Sequence, residues 1–267
     1  MNRVALCVAL LLTACNGRGA DCEISARPLA IPVSGDANGD GVVDIADGVA
    51  IHDALFRAGA APPCAAAADV SPDGTVDVGD GAAIWYHLFF GNTVLYELPE
   101  PCAAPPADAG ECGDGLRLDI SAPEQANGSF EATISLTTPA FEARGWSISL
   151  VAEGCTVSAA STSGTRAADK REDPPGLRDG GLAMTQLSPG GLVAATVMDI
   201  PGDAALPRSD SPQPVLKLSV SASACGTCRL SLQDGQQGEG EPVDNVVAAL
   251  GRSYAPALGS VEVSACP

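Results

Sequence analysis

The sequence predicts a multidomain chain: a small all-α unit toward the N-terminus and a larger all-β antiparallel sandwich after it. Three observations predict this. An acidic segment occurs twice, and each copy runs on into apolar residues at helical spacing. After Leu116 the apolar spacing changes to two, in short runs punctuated by Gly, Pro, Ser and Asp. Cysteines are spread through both parts, 10 in all, which suits an exported chain held by disulfides.

Composition bounds the class before any motif is read. Apolar residues make up 46% of the 267 residues, enough for a core, but only 4% are aromatic, so that core must be Ala, Val, Leu and Ile. A formal charge of −19 with only 14 basic residues excludes nucleic acid and anionic lipid surfaces, because no basic patch can be assembled against phosphate. Calcium or a basic partner surface suits this balance better.

Residues 1–15 read as a targeting segment. Arg3 gives a positive start, Val4 to Leu12 an apolar stretch too short to span a bilayer, and "LTAC" (Leu12–Cys15) closes it. This resembles the lipobox of bacterial lipoproteins. The resemblance implies an acylated Cys15 as mature N-terminus and an extracytoplasmic, lipid-anchored place in the cell envelope. Asn16 in the next position points to the outer membrane. The membrane would be met only through that anchor; an ordinary secretory signal is the alternative. Setting aside Cys7 and Cys15 leaves Cys22, Cys64, Cys102, Cys112, Cys155, Cys225, Cys228 and Cys266 as disulfide candidates. Half fall at or before Cys112 and half after it, as two separately stapled units would have them; their connectivity stays open.

The elements follow in order. Residues 16–34 are a tether. Residues 35–98 hold the repeat, in which "GDANGDGVVDIADGVAIHDALFRAG" (Gly35–Gly59) aligns with "ADVSPDGTVDVGDGAAIWYHLFFG" (Ala68–Gly91). Each copy is an acidic loop and then a helix, with Val49, Leu55 and Phe56 on one face in the first and Ala83, Ile84, Leu88 and Phe89 in the second. "AGAAPPCAAAA" joins them, and its prolines end the first helix. Residues 99–115 are a proline-rich linker. Residues 116–267 carry "LRLDISA", "SFEATISLTT", "GWSISLVAEG", "LVAATVMDI", "PVLKLSVSAS", "CRLSLQD", "NVVAAL" and "SVEVSAC" as short strands with no convincing helix. The polar stretch Ser161–Gly181 reads as an exposed loop.

The spacing inside each acidic segment carries chemistry. A hard cation such as calcium takes six to eight oxygens, and a twelve-residue loop supplies them from positions 1, 3, 5, 7, 9 and 12, with glycine turning at 6. Counted from Asp36, those slots hold Asn38, Asp40, Val42 through its carbonyl, Asp44 and Asp47, and Gly41 is sixth. Counted from Asp69, they hold Ser71, Asp73, Thr75, Asp77 and Asp80, and Gly74 is sixth. Solvated Asp/Gly turns are the bland alternative, but two matched loops, each opening a helix, favour two calcium ions.

Position 12 is Asp where an ordinary EF-hand has Glu, and no helix is expected ahead of either loop. On these residues the region Gly35–Gly91 resembles the dockerin module, the duplicated calcium loop–helix unit that plugs into cohesins. The resemblance implies a calcium-dependent fold. It does not bring the usual contact, because positions 10 and 11, often Ser/Thr in the family, are Ile45 and Ala46, then Val78 and Gly79. Ser71 and Pro72 mark the second site as the weaker.

In the second half, "GWSISL" (Gly145–Leu150), "GGLVAATVMD" (Gly190–Asp199), "PVLKLSVS" (Pro214–Ser221) and "VDNVVAALGRSYAPALGSVEV" (Val243–Val263) resemble cohesin-like jelly-roll sandwiches and the related carbohydrate-binding ones. Other signals are read blandly. His52 and His87 are helical histidines rather than a metal pair. Cys225-Gly-Thr-Cys228 lies between strands, so structural disulfides are favoured over redox chemistry. Asn127-Gly-Ser129 matches a glycosylation sequon of little weight in a bacterial lipoprotein. Trp146, Trp85 and Tyr86 are packing residues before they are a sugar platform. No catalytic constellation stands in a credible context. The expectation is a non-catalytic, calcium-binding envelope protein that meets envelope or extracellular proteins through cohesin/dockerin-type contacts. A polysaccharide binder with the calcium unit as rigid spacer is the alternative.

Overall fold

The computed structural model describes residues 33–57, 60–93, 95–98, 115–169, 181–198, 204–222, 224–249 and 251–266. The targeting segment with Cys7 and Cys15, and the cysteines Cys22, Cys102 and Cys112, lie outside the described residues.

The helical unit contains α1 (Ile45–Phe56), α2 (Ala65–Ala68) and α3 (Val78–Phe90). Both long helices begin in the same way. Asp44 and Asp77 are N-caps, and Asp47 and Asp80, three residues on, bond back to the cap backbone to close a capping box. Helix α3 ends on Gly91, left-handed at φ 62°, a conformation that suits a residue without Cβ. Helix α2 corrects the expectation that no helix precedes the second loop: one turn of alanines stands there.

The long helices meet through their smallest residues. A Cβ on Gly48 would fall 2.3 Å from Trp85 Nε1, and one on Gly81 would fall 2.4 Å from His52 Cε1. Gly48 and Gly81 are equivalent in the repeat, and so are His52 and Trp85, whose rings stack with centroids 4.8 Å apart. His52 therefore answers to Trp85 and not to His87. The ends of the unit are tied together by an antiparallel bridge between Val33 and Glu97, with Ser34 N donating to Tyr96 O at 2.8 Å and Tyr96 N to Ser34 Oγ at 3.0 Å.

The sandwich runs β1 (Arg117–Ser121), β2 (Gln125–Asn127), β3 (Ser129–Thr138), β4 (Gly145–Glu153), β5 (Cys155–Ser161), β6 (Leu182–Ser188), β7 (Gly191–Val197), β8 (Ser209–Ala222) and β9 (Gly226–Leu232). It continues with β10 (Gln236–Gln237), β11 (Pro242–Val243), β12 (Val246–Ala249), β13 (Arg252–Tyr254), β14 (Ala257–Leu258) and β15 (Ser260–Cys266). Sheet one has the order β14-β1-β3-β8-β5. Sheet two has the order β13-β12-β4-β9-β15-β2, and β7 joins β4 to β6. The pairing is antiparallel except at β1–β14 and β15–β2, which are parallel. Of the expected exposed stretch after Ser161, the first part is otherwise: Arg166–Asp169 form a helical turn, α4, and Thr165 and Ala167 are buried.

Strand β4 is the spine of sheet two. One edge pairs with β7; the other is shared by β12 at Gly145–Ser147 and β9 at Leu150–Glu153. At Ser149, between the two partners, the buried Asn245 side chain takes over the ladder: its Oδ1 accepts from Ser149 N at 2.9 Å and its Nδ2 donates to Ser149 O at 3.2 Å. Both backbone polar groups of Ser149 are thereby paired. Between the sheets lies a core that includes Leu118, Ile134, Trp146, Ile148, Leu150, Leu192, Leu218 and Val247. Two disulfides brace it. Cys155–Cys228 links β5 of sheet one to β9 of sheet two, and Cys225–Cys266 joins the start of β9 to the end of β15. The two cysteines of the C-x-x-C thus bond to different partners, as structural cysteines do.

The outer face of sheet two is covered along β7 and β12. Val193, Ala195, Val197, Val246 and Ala248 turn away from the first core and form a second one with Ile45, Ala46, Val49, Ile84, Trp85, Leu88 and Phe89 of the helices. Strands β7 and β12 are consequently buried at every residue. The helices thus lie as a third layer on the sandwich. Among the described residues, no helix is long and apolar enough to cross a membrane.

Candidate metal centres

The two acidic loops fold alike and share most of their hydrogen bonds. In loop one, Asp47 reaches back so that its Oδ1 accepts from Asn38 N at 3.0 Å and its Oδ2 from Asp44 N at 2.8 Å. In loop two, Asp80 does the same to Ser71 N at 2.9 Å and Asp77 N at 2.8 Å. Position 1 receives the turn at position 6: Gly41 N donates to Asp36 Oδ2 at 3.2 Å and Gly74 N to Asp69 Oδ2 at 2.9 Å. Position 5 accepts from position 7, at 3.0 Å for Val42 N to Asp40 Oδ1 and 2.8 Å for Thr75 N to Asp73 Oδ1. Gly41 and Gly74 both have positive φ, 89° and 86°, which glycine alone adopts without strain.

The loops differ in their surroundings. Every residue of loop one is buried or half-buried, while Ser71, Asp73, Thr75 and Asp77 of loop two are exposed. Loop one accordingly concentrates negative charge out of water. Burial, then the Asp40 charge, pushes the Asp36 carboxyl up to about 6. Burial raises Asp40 as well. Asp47, wholly buried beside Asp44 and Asp40, is held well above the ordinary carboxylate range. Asp36 Oδ1 is buried with no hydrogen-bond partner.

An orphaned carboxylate oxygen in a loop of half-buried and buried carboxylates fits a hard cation, which would supply the missing partner and the missing charge. Asp36, Asn38, Asp40, the Val42 carbonyl, Asp44 and Asp47 would hold it. Among the described residues, no three His, Cys, Asp or Glu side chains form a ready cage by themselves. A donor set would accordingly have to draw on an amide and a carbonyl besides the carboxylates.

The seat of loop one is the feature that sequence reading missed. Ser253 Oγ of β13 donates to Asp44 Oδ1 at 3.0 Å. Ile45 and Ala46, at positions 10 and 11, are buried in the layer shared with sheet two, whereas Val78 in the second repeat is 50% exposed. The far end of the helices is held too. Gln186 Nε2 of β6 donates to Phe89 O, and Gly240 lies so close to α3 that a Cβ there would be 2.3 Å from Leu88 O.

The remaining candidates resolve simply. His52 is buried, its Nδ1 2.7 Å from Gly48 O, and burial lowers its pKa, so the neutral ring is favoured. His87 Nδ1 lies 2.7 Å from Thr93 O. Trp146 and Trp85 are buried in different cores and Tyr86 is exposed beside Phe90, so the three make no common platform.

The chain matches no protein family and no curated protein. Among solved structures it is similar to the second type II cohesin module of the adaptor scaffoldin ScaA of Acetivibrio cellulolyticus, with 9% identity over 58% of this chain and 99% of that one, at a TM-score of 0.39. It is similar to the third ScaB cohesin of R. flavefaciens, solved in complex with a group 1 dockerin: 12% identity, 57% and 97% covered, TM-score 0.37. A non-cellulosomal cohesin from Archaeoglobus fulgidus gives 10% identity, 55% and 91% covered, and a TM-score of 0.34. With TM-scores below 0.5, these likenesses carry no conclusion about ligands or partners.

Proposed function

We propose that this is a non-catalytic, calcium-binding, extracytoplasmic protein, anchored in the bacterial envelope through Cys15, that contributes to protein–protein assembly. Its helical repeat and its cohesin-like sandwich close on one another to form one interaction module. The observation that carries the reading is the identical fold-back of Asp47 and Asp80 onto positions 3 and 9 of two loops with the same ligand spacing. Calcium in loop one would neutralise carboxylates that burial and mutual repulsion otherwise oppose, and the same spacing in loop two would take a second ion.

Calorimetric titration of the full chain with calcium tests this directly, with two binding events expected. The partner is then sought by pull-down from envelope extracts with calcium and with chelator, and capture is expected only with calcium. Cys15→Ser should move the protein out of the membrane fraction, since acyl chains are the proposed attachment. No heat of calcium binding at millimolar concentrations would overturn the reading.

A further inference from the structure

We propose that Ser253, on strand β13 of the sandwich, is a positioning residue of the first calcium loop, so that one cation site is shared by the two halves of the chain. This rests on the calcium reading above and assigns a further residue to it.

Ser253 is separated from Asp44 by 209 positions in sequence, yet it is 5% exposed and its hydroxyl donates into the loop. Asp44 Oδ1 accepts from it at 3.0 Å and from Ala46 N at 2.7 Å. Asp44 is position 9, one of the predicted ligands. With Oδ1 of Asp44 committed to the helix and the sandwich, rotation of that carboxylate is blocked and Oδ2 is the oxygen left for a cation. Asp36 Oδ1, buried without a partner in the same loop, independently calls for one.

A donor fixed on a carboxylate sets its angle before a cation arrives, the part that outer-shell partners play at metal sites. Among the described residues, loop two has no such partner from the sandwich; its equivalent of Asp44 is Asp77, exposed, whose Oδ1 accepts from Gly79 N at 2.7 Å. Because binding and seating share this contact, they are linked. Calcium in loop one holds the helices on sheet two, and the seated sandwich raises the affinity of loop one by the same factor.

The test uses the full chain with Asp73→Ala to silence loop two. Calcium affinity is measured by calorimetry for this background, for added Ser253→Ala and for added Ser253→Thr. Loss of an outer-shell partner costs about 10- to 100-fold in metal affinity, and Ser253→Ala is expected at the lower end, with Ser253→Thr recovering most of the loss. The rise in Tm on adding calcium should shrink in step, while the metal-free Tm changes little. Ser253→Ala with undiminished affinity overturns the proposal. So does a fall in metal-free Tm with affinity unchanged, which would make Ser253 a packing residue only. Failure of the parent chain to bind calcium at all strikes instead at the calcium reading, and is seen before any Ser253 variant is made.

Discussion

Loop one has no exposed residue, whereas most of loop two lies in solvent, although the two share spacing, capping boxes and hydrogen bonds. The difference comes from what is packed around them. Ile45, Ala46 and Val49 of the first repeat enter the core beneath sheet two; their equivalents Val78, Gly79 and Ala82 are exposed or half-buried. One repeat has been built into the sandwich, and the other has stayed at the surface. A motif read from spacing alone cannot tell these situations apart, yet they should behave very differently toward calcium and protons.

The largest separation is expected from removing the position-12 carboxylate. Asp47→Ala should weaken calcium binding more than Asp80→Ala, and by more than the roughly 10- to 100-fold that an outer-shell loss costs. Removing it from loop one also leaves Asn38 N and Asp44 N without their acceptor in a buried setting. Calorimetry on the two single variants checks this; if Asp80→Ala proves the more damaging, the contrast between the loops is wrong.

The effect of pH should come next. In the metal-free chain the loop-one carboxyls titrate above their unfolded values, so the folded state holds more protons. Stability from this source is full below about pH 4 and is lost as pH rises through about 6, where Asp36 ionises. With calcium the sign reverses, because the ion favours the ionised carboxylates and protons compete with it. Thermal melts between pH 4 and 7, with and without calcium, should diverge as pH rises. Parallel curves would show that loop one is not a site of buried charge.

The smallest effect should follow from repairing loop two. Ser71→Asn gives position 3 the amide of loop one and should strengthen the second site a few-fold, about 1 kcal/mol or less. Its side chain is exposed, so the melting temperature of the metal-free chain should hardly move. A large stability change would mean that loop two is more tightly integrated than its exposure suggests.

The loops were legible because their chemistry is local. Glycine at position 6 and aspartates at 9 and 12 sit within one dozen residues, and the capping boxes follow from the same aspartates. The β3, β9 and β15 strands were legible through alternation. By contrast "CTVSAAS" (β5) and "LAMTQLS" (β6) are small and polar, with too little apolar contrast to mark a face. Helix α2 is a single turn of alanines with no side-chain cap, too short for a period. The third layer did leave a trace. "LVAATV" and "VVAA" are apolar at nearly every residue rather than at every second one, as strands covered on both faces are. What no local reading could supply is the pairing of Ser253 with Asp44, which needs the sandwich already folded.

The clasp at Val33 and Glu97 has a mechanical consequence. The chain enters and leaves the helical unit side by side, along an antiparallel pair held by a few bonds around Ser34 and Tyr96. Tension applied between the segment before Val33 and the sandwich would first act across those ends, prising the pair open bond by bond like a zipper. The helices would bear load only afterwards. The clasp is in this sense a fuse: in a single-molecule pulling trace it should give the earliest and weakest event, with the disulfide-braced sandwich the last to yield.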